Sequence, residues 1–281
     1  AFEQAIRALI ARHEVLRTHI QRIDGEPCQV ISERFDTPIT FIDVSDLSEE
    51  AAAGQVTELA AKDSDTVFDL SKDILLRVQL VTLSEHAHVV LFNLHHIASD
   101  GWSMGIMTRE FSQLYEAFSQ GKVNPLKPLT IQYGDYAHWQ REWLQGEVLE
   151  TELNYWQETL AGIPPVHSLP LDKPRPAQQT FNGEIYQQVL SPELTQAING
   201  LCFKEDVTLF MLSQSAFAVL IGRYSGEDDI VMGTPIAGRT HQEVEALIGL
   251  FLSNLVIRTD LSGELTFNAL LKQQKTQILA A

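Results

Sequence analysis

Apolar positions in the first third of the chain predict a mixture of helix and strand. One helical face at the start of the chain carries Phe2, Ile6, Leu9 and Leu16. Four strands are expected after it, at residues 29–32, 39–44, 75–83 and 88–94. The last of these contains an unbroken apolar run, residues 89–92, which is typical of a strand buried on both faces.

Polar side chains follow that strand directly, in the sequence His95-His96-Ile97-Ala98-Ser99-Asp100-Gly101. Apolar residues then recur at alternating spacings of three and four, which predicts a helix with a buried face formed by Met104, Met107, Phe111, Leu114 and Phe118. The layout is strand, polar turn, helix. In α/β proteins the chemistry commonly lies at such a turn, beyond the carboxyl end of a strand.

A proline-dense stretch separates this region from a second mixed one. Five prolines between residues 162 and 176 favour an extended segment, which we interpret as a connection between two lobes. Beyond it the pattern predicts a strand at 184–190, a helix opened by Ser191 and Pro192, and a helix at 209–221 buried on nearly all sides. Core strands at 230–232 and 252–257 and an amphipathic helix at 265–279 complete the prediction. Both halves are therefore expected to be α/β.

The charge of the chain narrows the choice of partners. Its 281 residues include 37 acidic and 20 basic ones, a formal net charge of -17 at pH 7, and this charge repels phosphate backbones and anionic membranes. We therefore expect no nucleic acid and no membrane as partner. The lack of a long apolar span and of a signal-like N-terminus favours a cytoplasmic protein. Cys28 and Cys202 have no CxxC spacing and lie far from the histidines, so we expect reduced thiols and no cysteine nucleophile.

The two adjacent histidines are expected to differ in role. Successive side chains of a strand point to opposite faces, so one of His95 and His96 should be structural while the other is available for catalysis. Asp100 needs a partner if it is buried, because an unpaired buried carboxylate is costly. The candidates for that partner are Arg12, on the rim of the apolar stripe of the first helix, and Arg17, about 140° further round and one turn later. The alternative for each is a solvated helix flank.

Two other kinds of site fit the histidine motif less well. A metal site would draw its ligands from His86, His88, His95, His96 and Asp100. We disfavour it because the first two histidines lie at the opposite end of the strand. A serine nucleophile at Ser99 or Ser103 is disfavoured because neither residue lies in a G-x-S-x-G elbow.

Several motifs, in a fixed order, resemble those of the condensation domains of nonribosomal peptide synthetases, members of the CoA-dependent acyltransferase (chloramphenicol acetyltransferase-like) superfamily. Residues 12–18 resemble the family's arginine motif, and residues 95–103 resemble its His-His-x-x-x-Asp-Gly core motif. Later motifs of the family are matched at 133–139, 233–239 and 248–258. The resemblance runs essentially from end to end.

The chain departs from the family pattern in two places. The family's first N-terminal motif and its last C-terminal motifs are missing, so we expect a domain with incomplete ends. Leu252 is followed by Ser253-Asn254 where the family usually has Asn-Thr. The form of residues 99–103, Ser-Asp-Gly-Trp-Ser, is most similar to the LCL subtype, which joins an L-configured donor to an L-configured acceptor.

The resemblance implies an α/β (α+β) fold of two chloramphenicol acetyltransferase-like lobes in a V-shaped arrangement, with the active site in the tunnel between them. The N-terminal lobe would span residues 1–161, with an incomplete N-terminus. A proline-rich connection at 162–177 would lead to a C-terminal lobe at 178–281, with an incomplete C-terminus.

The resemblance also implies roles for single residues. His96 would act on the acceptor amine as a base or a hydrogen-bond positioner. Gly101 would give the turn its free φ and could direct its N–H at the developing oxyanion. Structural roles at the site would fall to His95, Asp100, Arg12 and Arg17. Candidates for the substrate tunnel are Trp102, Ser103, Ser253 and Asn254. No metal is expected.

The implied reaction is peptide-bond formation between a donor aminoacyl or peptidyl thioester and the amine of an acceptor aminoacyl thioester. Both substrates would arrive on 4'-phosphopantetheine arms of donor and acceptor peptidyl carrier proteins, beside an adenylation domain, and the domain itself would bind no cofactor. Two alternatives stay open. One is an acyltransferase of the same superfamily that uses a free hydroxyl or amine acceptor, and the other is a catalytically silent domain that recruits partner enzymes.

Overall fold

A computed structural model describes all 281 residues, which divide into two compact units. The first unit comprises residues 1–145 and 237–252, and the second comprises 146–236 and 253–281. Each unit contains helices and strands, as the sequence predicts.

The first unit contains four helices and five strands. The helices are α1 (Phe2–Arg12), α2 (Glu49–Asp65), α3 (Gly101–Ser119) and α4 (Tyr133–Trp143). The strands are β1 (Thr18–Ile23), β2 (Glu26–Ile31), β3 (Ile39–Asp43), β4 (Leu76–Ser84) and β5 (Ala87–Leu94). β1 and β2 form an antiparallel hairpin, whereas β4 lies between a parallel β3 and an antiparallel β5 in a second sheet.

The strand before the histidines has apolar contacts on both faces, as predicted. Val90 and Phe92 pack against the main core, which α1 and α3 also line, while Val89 and Leu91 pack on a second cluster that includes residues of α2. The predicted face of α3 is buried except at its first member, Met104, which is exposed. The apolar alternation of β5 thus fixes the strand on which the histidine motif follows.

The second unit contains four helices and one pair of strands. The helices are α5 (Gly146–Thr159), α6 (Pro192–Glu205), α7 (Leu209–Ser225) and α8 (Phe267–Ala280), and the antiparallel strands are β6 (Asp229–Ile236) and β7 (Ser253–Asp260). The Ser191 hydroxyl accepts from the Leu194 N–H and caps α6, as the sequence predicts. No single helix is long and apolar enough to span a bilayer; α6 and α7 together meet that test, with a bend of 103° at the break between them.

Two sequence predictions for this unit are wrong. Residues 184–190 form no strand, because no other strand pairs with this segment. The sequence predicts that α7 is buried on nearly all sides, yet Leu209, Phe210, Phe217 and Leu220 are 44% to 55% exposed. Only one side of α7 packs within the unit, so its apolar composition exceeds what its neighbours cover.

The two units also divide differently from the predicted boundaries. α5 groups with the second unit, although the sequence prediction assigns it to the lobe at 1–161. α5 groups with the second unit because Arg258 of β7 donates to the Thr159 and Ala161 carbonyls, at 2.8 and 2.9 Å. Residues 237–252, between β6 and β7, belong to the first unit rather than to the predicted 178–281 lobe.

A buried polar cluster closes the end of α1. The Arg12 Nε donates to both Glu110 carboxylate oxygens at 3.0 and 3.1 Å, and the His13 Nε2 lies 2.7 Å from Glu110 Oε2. The Ile248 N–H donates to His13 Nδ1 at 3.4 Å, so Nδ1 is an acceptor and the ring proton lies on Nε2. Burial lowers the pKa of His13, although its hydrogen bond to Glu110 opposes that shift. His13 is therefore a neutral donor to Glu110.

We expect this lowered pKa to make stability pH-dependent. Unfolded His13 takes up a proton near its ordinary pKa of 6.5 while folded His13 does so only at lower pH, so the free energy of unfolding falls as the pH drops below that value. His13→Gln keeps a donor for Glu110 and an acceptor for Ile248 but does not titrate. We expect it to reduce the loss of unfolding free energy between pH 7.5 and 5.5, by at most about 1.4 kcal/mol, the effect of one proton over one pH unit, measured by urea unfolding at each pH.

The matched control is His86→Gln, at an exposed turn between β4 and β5. Comparing variants with wild type cancels the effect of the large net negative charge, which changes with pH in all three proteins. The prediction fails if His13→Gln and His86→Gln have the same pH dependence.

Candidate active site

The histidine motif forms the turn between β5 and α3. His95 continues from the strand, and its N–H donates to the Leu75 carbonyl at 3.2 Å. A single 3-10 turn, His96–Ala98, follows it. Asp100 then caps α3 by accepting from the Ser103 N–H at 2.8 Å. A strand end, a tight turn and a capped helix thus fix the motif on both sides.

The two imidazoles lie in different surroundings. The Nδ1 atom of His95 accepts from the Ile97 N–H at 3.0 Å, and its ring meets Phe68 edge-on with centroids 5.7 Å apart. The His96 side chain is exposed and has no hydrogen-bond partner in the protein. Of the two, only His96 is free to meet a substrate.

Asp100 pairs with Arg239, a residue that the sequence prediction missed. The Arg239 Nη2 lies 3.2 and 3.4 Å from the two Asp100 carboxylate oxygens, and the two side chains are only 2% and 4% exposed. Burial alone raises the pKa of Asp100, but hydrogen bonds from Ser103 and Phe251 and the charge of Arg239 outweigh it, and the net pKa is lowered. The pair is therefore a buried carboxylate with a buried guanidinium.

The predicted partners of Asp100, Arg12 and Arg17, are wrong. Arg12 faces α3 at a different position and pairs with Glu110. Arg17 donates to the Ser32 carbonyl at 2.7 Å and to Glu14 at 3.3 Å. Both guanidinium groups are occupied by other carboxylates or carbonyls, so neither pairs with Asp100.

Arg239 also holds the segment on which it lies. Its Nη1 donates to the Val244 and Leu247 carbonyls, at 2.6 and 2.8 Å, and its guanidinium stacks on the Phe251 ring, 3.9 Å from the centroid. The preceding residue, Gly238, has φ +60, and a Cβ there would overlap the Phe251 carbonyl oxygen. A glycine is therefore required where the chain folds over Phe251.

Side chains of α3, of its capping residue and of α4 hold the backbone of residues 249–251. The Ser103 hydroxyl accepts from the Gly249 N–H at 3.1 Å, the Tyr133 hydroxyl donates to the Leu250 carbonyl at 2.8 Å, and Asp100 accepts from the Phe251 N–H at 3.1 Å. A Cβ on Gly249 would overlap the Tyr133 ring. These contacts explain why residues 237–252 belong to the first unit.

The prediction that Ser103 lines the substrate tunnel is wrong. The residue is 1% exposed, and its hydroxyl is fully engaged by Asp100, Arg239 and Gly249. Trp102 is 51% exposed and its indole N–H donates to the Glu245 carbonyl at 3.0 Å, so its ring remains open to a ligand. The remaining candidates, Ser253 and Asn254, begin β7 in the second unit, opposite Ile236 and Pro235, and both are exposed.

Gly101 does not need the conformational freedom that the sequence prediction assigns to it. It is the first residue of α3 and its φ lies outside the left-handed region, so the turn does not require glycine there. A Cβ at this position would meet nothing within 4 Å. Gly101 therefore leaves open space beside the first N–H of α3.

The histidines outside the turn are remote from it. His86 lies in the turn between β4 and β5, and His88 is at the start of β5. No three His, Cys, Asp or Glu side chains are grouped closely enough to hold a metal ion.

Arg239→Leu is expected to destabilise the first unit strongly. The substitution leaves the Asp100 carboxylate buried without its counter-charge, which costs about 3–5 kcal/mol in other proteins. Urea unfolding followed by tryptophan fluorescence measures this loss, since Trp102 lies beside Arg239.

The control breaks an ion pair whose carboxylate is exposed to solvent. Asp206→Asn removes the pairing of Asp206 with Lys275 on the surface of the second unit and should leave the urea midpoint unchanged. Equal effects of the two substitutions would mean that burial of the Asp100–Arg239 pair has no energetic importance.

The chain is similar throughout its length to proteins of nonribosomal peptide synthesis. Residues 1–281 match the family model "Condensation domain". A linear gramicidin synthase of Brevibacillus parabrevis is 49% identical over 271 residues, which are 96% of this chain and 5% of that protein. Malpibaldin synthetase of Mortierella alpina is 40% identical over 282 residues, which cover 100% of this chain and 5% of that protein. The chain thus spans a small part of these curated relatives.

Two solved structures match the fold. The X-domain from teicoplanin biosynthesis has a TM-score of 0.89 at 28% identity, over 99% of this chain and 62% of that one. The first condensation domain of the calcium-dependent antibiotic synthetase has a TM-score of 0.81 at 19% identity, over 99% and 66% of the two chains. They confirm the predicted chloramphenicol acetyltransferase-like α/β fold. The chain belongs to the condensation-domain family, the amide-forming acyltransferases of nonribosomal peptide synthetases.

Proposed function

We propose that this chain joins a carrier-bound donor thioester to a carrier-bound acceptor amine, with His96 acting on the amine. The observation that carries this proposal is the exposed, unpartnered imidazole of His96 on a turn fixed by the buried Asp100–Arg239 pair. A group held in this way needs little reorganisation when the substrate arrives.

The proposed reaction is an acyl transfer without an external reactant. The acceptor nitrogen attacks the donor carbonyl carbon, and the tetrahedral intermediate carries its negative charge on the former carbonyl oxygen. The nitrogen loses a proton, the C–S bond breaks, and the donor's thiol leaves with a proton. The new peptide stays attached to the acceptor thioester.

His96 would take or position the proton that leaves the amine. An α-amino group has a reference pKa of about 7.7–8.0, so an appreciable fraction is neutral near pH 7.5 and can attack without full deprotonation by the enzyme. Both a base and a hydrogen-bond positioner therefore fit His96, which is the acid–base group that the turn exposes.

Gly101 would stabilise the developing oxyanion. Its N–H is the first of α3, and the capping carboxylate of Asp100 accepts from Ser103 instead. A helix N-terminus attracts negative charge, and the absence of a Cβ leaves room for a carbonyl to approach.

The substrates would arrive from neighbouring domains. Condensation domains work with carrier and adenylation domains in multidomain synthetases. We propose donor and acceptor peptidyl carrier proteins with 4'-phosphopantetheine arms as the partners, an adjacent adenylation domain, and a cytoplasmic location. The form of residues 99–103 supports L-configured substrates on both sides.

Recruitment of a partner enzyme is the second candidate function. The X-domain from teicoplanin biosynthesis, which matches this fold, has also been solved in a complex with OxyB at 29% identity to this chain. A silent domain does not need an exposed histidine, so removal of His96 separates the two functions.

His96→Ala is expected to lower peptide formation at least about 100-fold, because it removes the proposed proton acceptor. Wild-type and variant proteins are mixed with donor- and acceptor-loaded carrier proteins, and carrier-bound peptide is followed by mass spectrometry. His86→Ala, in the exposed turn between β4 and β5, is the control and should retain wild-type activity.

The other outcomes favour the other functions. Equal product from wild type and His96→Ala would support the recruitment domain. Product from a free amine or alcohol, but not from a carrier-bound acceptor, would support the free-acceptor acyltransferase of the same superfamily.

The role of the Gly101 N–H is tested by two substitutions that differ in that group. Proline is tolerated at the first position of a helix and has no N–H, and the extended backbone of Asp100 is compatible with a following proline. Gly101→Pro should lower the rate about 100-fold or more, as loss of an oxyanion donor does, while Gly101→Ala keeps the N–H and most of the rate. A similar loss in both variants would assign the role to open space rather than to the N–H.

A further inference from the structure

Arg77 of β4 organises the three residues that follow α2. Its Nη1 donates to the Thr66 carbonyl and its Nη2 to the Val67 carbonyl, both at 2.8 Å. The same guanidinium stacks on the Phe68 ring, 3.8 Å from the ring centroid, and Asp73 lies 3.5 Å from Nη2. One planar side chain therefore fixes both this stretch of backbone and the ring of Phe68.

The Phe68 ring is directed at the histidine turn. Val67 is 86% exposed, whereas Phe68 is half-buried and meets the His95 imidazole edge-on, with the ring centroids 5.7 Å apart and the ring planes at 89°. Phe68 does not pack against the main core, although Leu70 does. The contacts that the structure gives to the Phe68 ring are therefore with Arg77 and His95.

His95 needs a fixed ring orientation. Its Nδ1 accepts from the Ile97 N–H at 3.0 Å and caps the 3-10 turn that begins at His96. Rotation of the imidazole by half a turn would place a carbon atom where Nδ1 lies and would leave the Ile97 N–H without its partner. Aromatic pairs have preferred orientations, so the edge-on contact with Phe68 restrains this rotation.

We propose that Phe68 and Arg77 are positioning residues for His96, acting through His95. Arg77 fixes the Phe68 ring, the Phe68 ring keeps Nδ1 of His95 towards the Ile97 N–H, and that hydrogen bond stabilises the turn that presents His96. A reacting group held in its productive geometry by such supporting contacts reacts faster. The catalytic part of this inference rests on the proposed function.

A purely structural role for the two side chains would have different consequences. Phe68 lies outside the main core, and the Arg77 side chain is 23% exposed, so replacing either one removes little buried apolar surface. We therefore expect conservative variants of both residues to fold and to melt within a few degrees of wild type. The orientation of His95 and the rate should change while the stability does not.

Nitrogen NMR of the histidine side chains tests the orientation of His95. Spectra are recorded at about pH 8, where free imidazole is neutral. Wild-type His95 should be a single tautomer with its proton on Nε2, because Nδ1 accepts a hydrogen bond. Phe68→Leu should give a mixture of the two tautomers. Arg77→Lys should give a smaller change of the same kind, since an ammonium group lacks the planar fork that reaches both carbonyls. The His95 signal is identified by its loss in His95→Asn.

Phe35→Leu is the matched control. Phe35 is also half-buried and stacked with an arginine, with the Arg7 guanidinium 5.6 Å from the ring centroid, but it makes no aromatic contact with His95. It should leave the His95 tautomer unchanged. An unchanged His95 signal in Phe68→Leu, or the same change in Phe35→Leu, would overturn the inference.

Peptide formation supplies the functional readout. Phe68→Leu should lower kcat at least about tenfold and leave KM for both carrier-bound substrates unchanged, because the geometry of His96 changes while the substrate contacts do not. Phe68→Tyr keeps an aromatic ring and should keep most of the rate. A changed His95 tautomer with unchanged kcat would overturn the inference, and so would a fall in kcat that only matches the loss of folded protein.

The two readouts separate this inference from the proposed function. If wild type forms no peptide, the proposed function fails. The His95 spectra then still decide whether Phe68 and Arg77 orient the turn, because they do not depend on activity.

Discussion

The buried carboxylate of Asp100 is the constraint on which the first unit depends. A charge removed from water must be met by donors, and here the donors come from three places in the chain: Ser103 in α3, the Phe251 N–H and the Arg239 guanidinium. The need to satisfy one carboxylate therefore joins the histidine turn to α3 and to residues 237–252. A surface ion pair makes no such demand, because water satisfies either partner alone.

The same constraint explains how residues 237–252 are held without a sheet. Their backbone groups are satisfied by side chains, with Ser103, Tyr133 and Asp100 taking the places that a neighbouring strand would occupy. Close approach to the Phe251 carbonyl excludes a Cβ at Gly238, and close approach to the Tyr133 ring excludes one at Gly249. Each of these contacts joins a particular side chain to a particular backbone group, so the segment lies on the first unit in one register. A strand without such contacts can slip along its neighbour.

The sequence predicts correctly those elements whose formation depends on a local pattern of residues. Its predictions are wrong where the structure depends on contacts between residues that are distant along the chain. α1, β5 and α3 follow from apolar periodicity, and the Ser191 cap follows from one side chain. Arg239 lies 139 residues from Asp100, so no spacing rule connects them, although Arg239 ends a motif at 233–239 that the sequence resemblance picks out. The strand expected at 184–190 fails for a related reason. Its apolar residues favour a strand, whereas a strand exists only when another backbone pairs with it.

The different surroundings of the two histidine side chains follow from the geometry of the turn. His95 still belongs to the end of the strand, and its Nδ1 is used to close the turn on Ile97, which fixes the ring and removes it from chemistry. His96 begins the 3-10 turn, where the chain reverses away from the sheet and leaves the imidazole in solvent. A histidine that stabilised the turn could not also exchange protons freely, since each protonation would break the bond that holds it. Two adjacent histidines avoid this conflict, and the buried carboxylate four residues after His96 fixes the turn while the His96 side chain stays free.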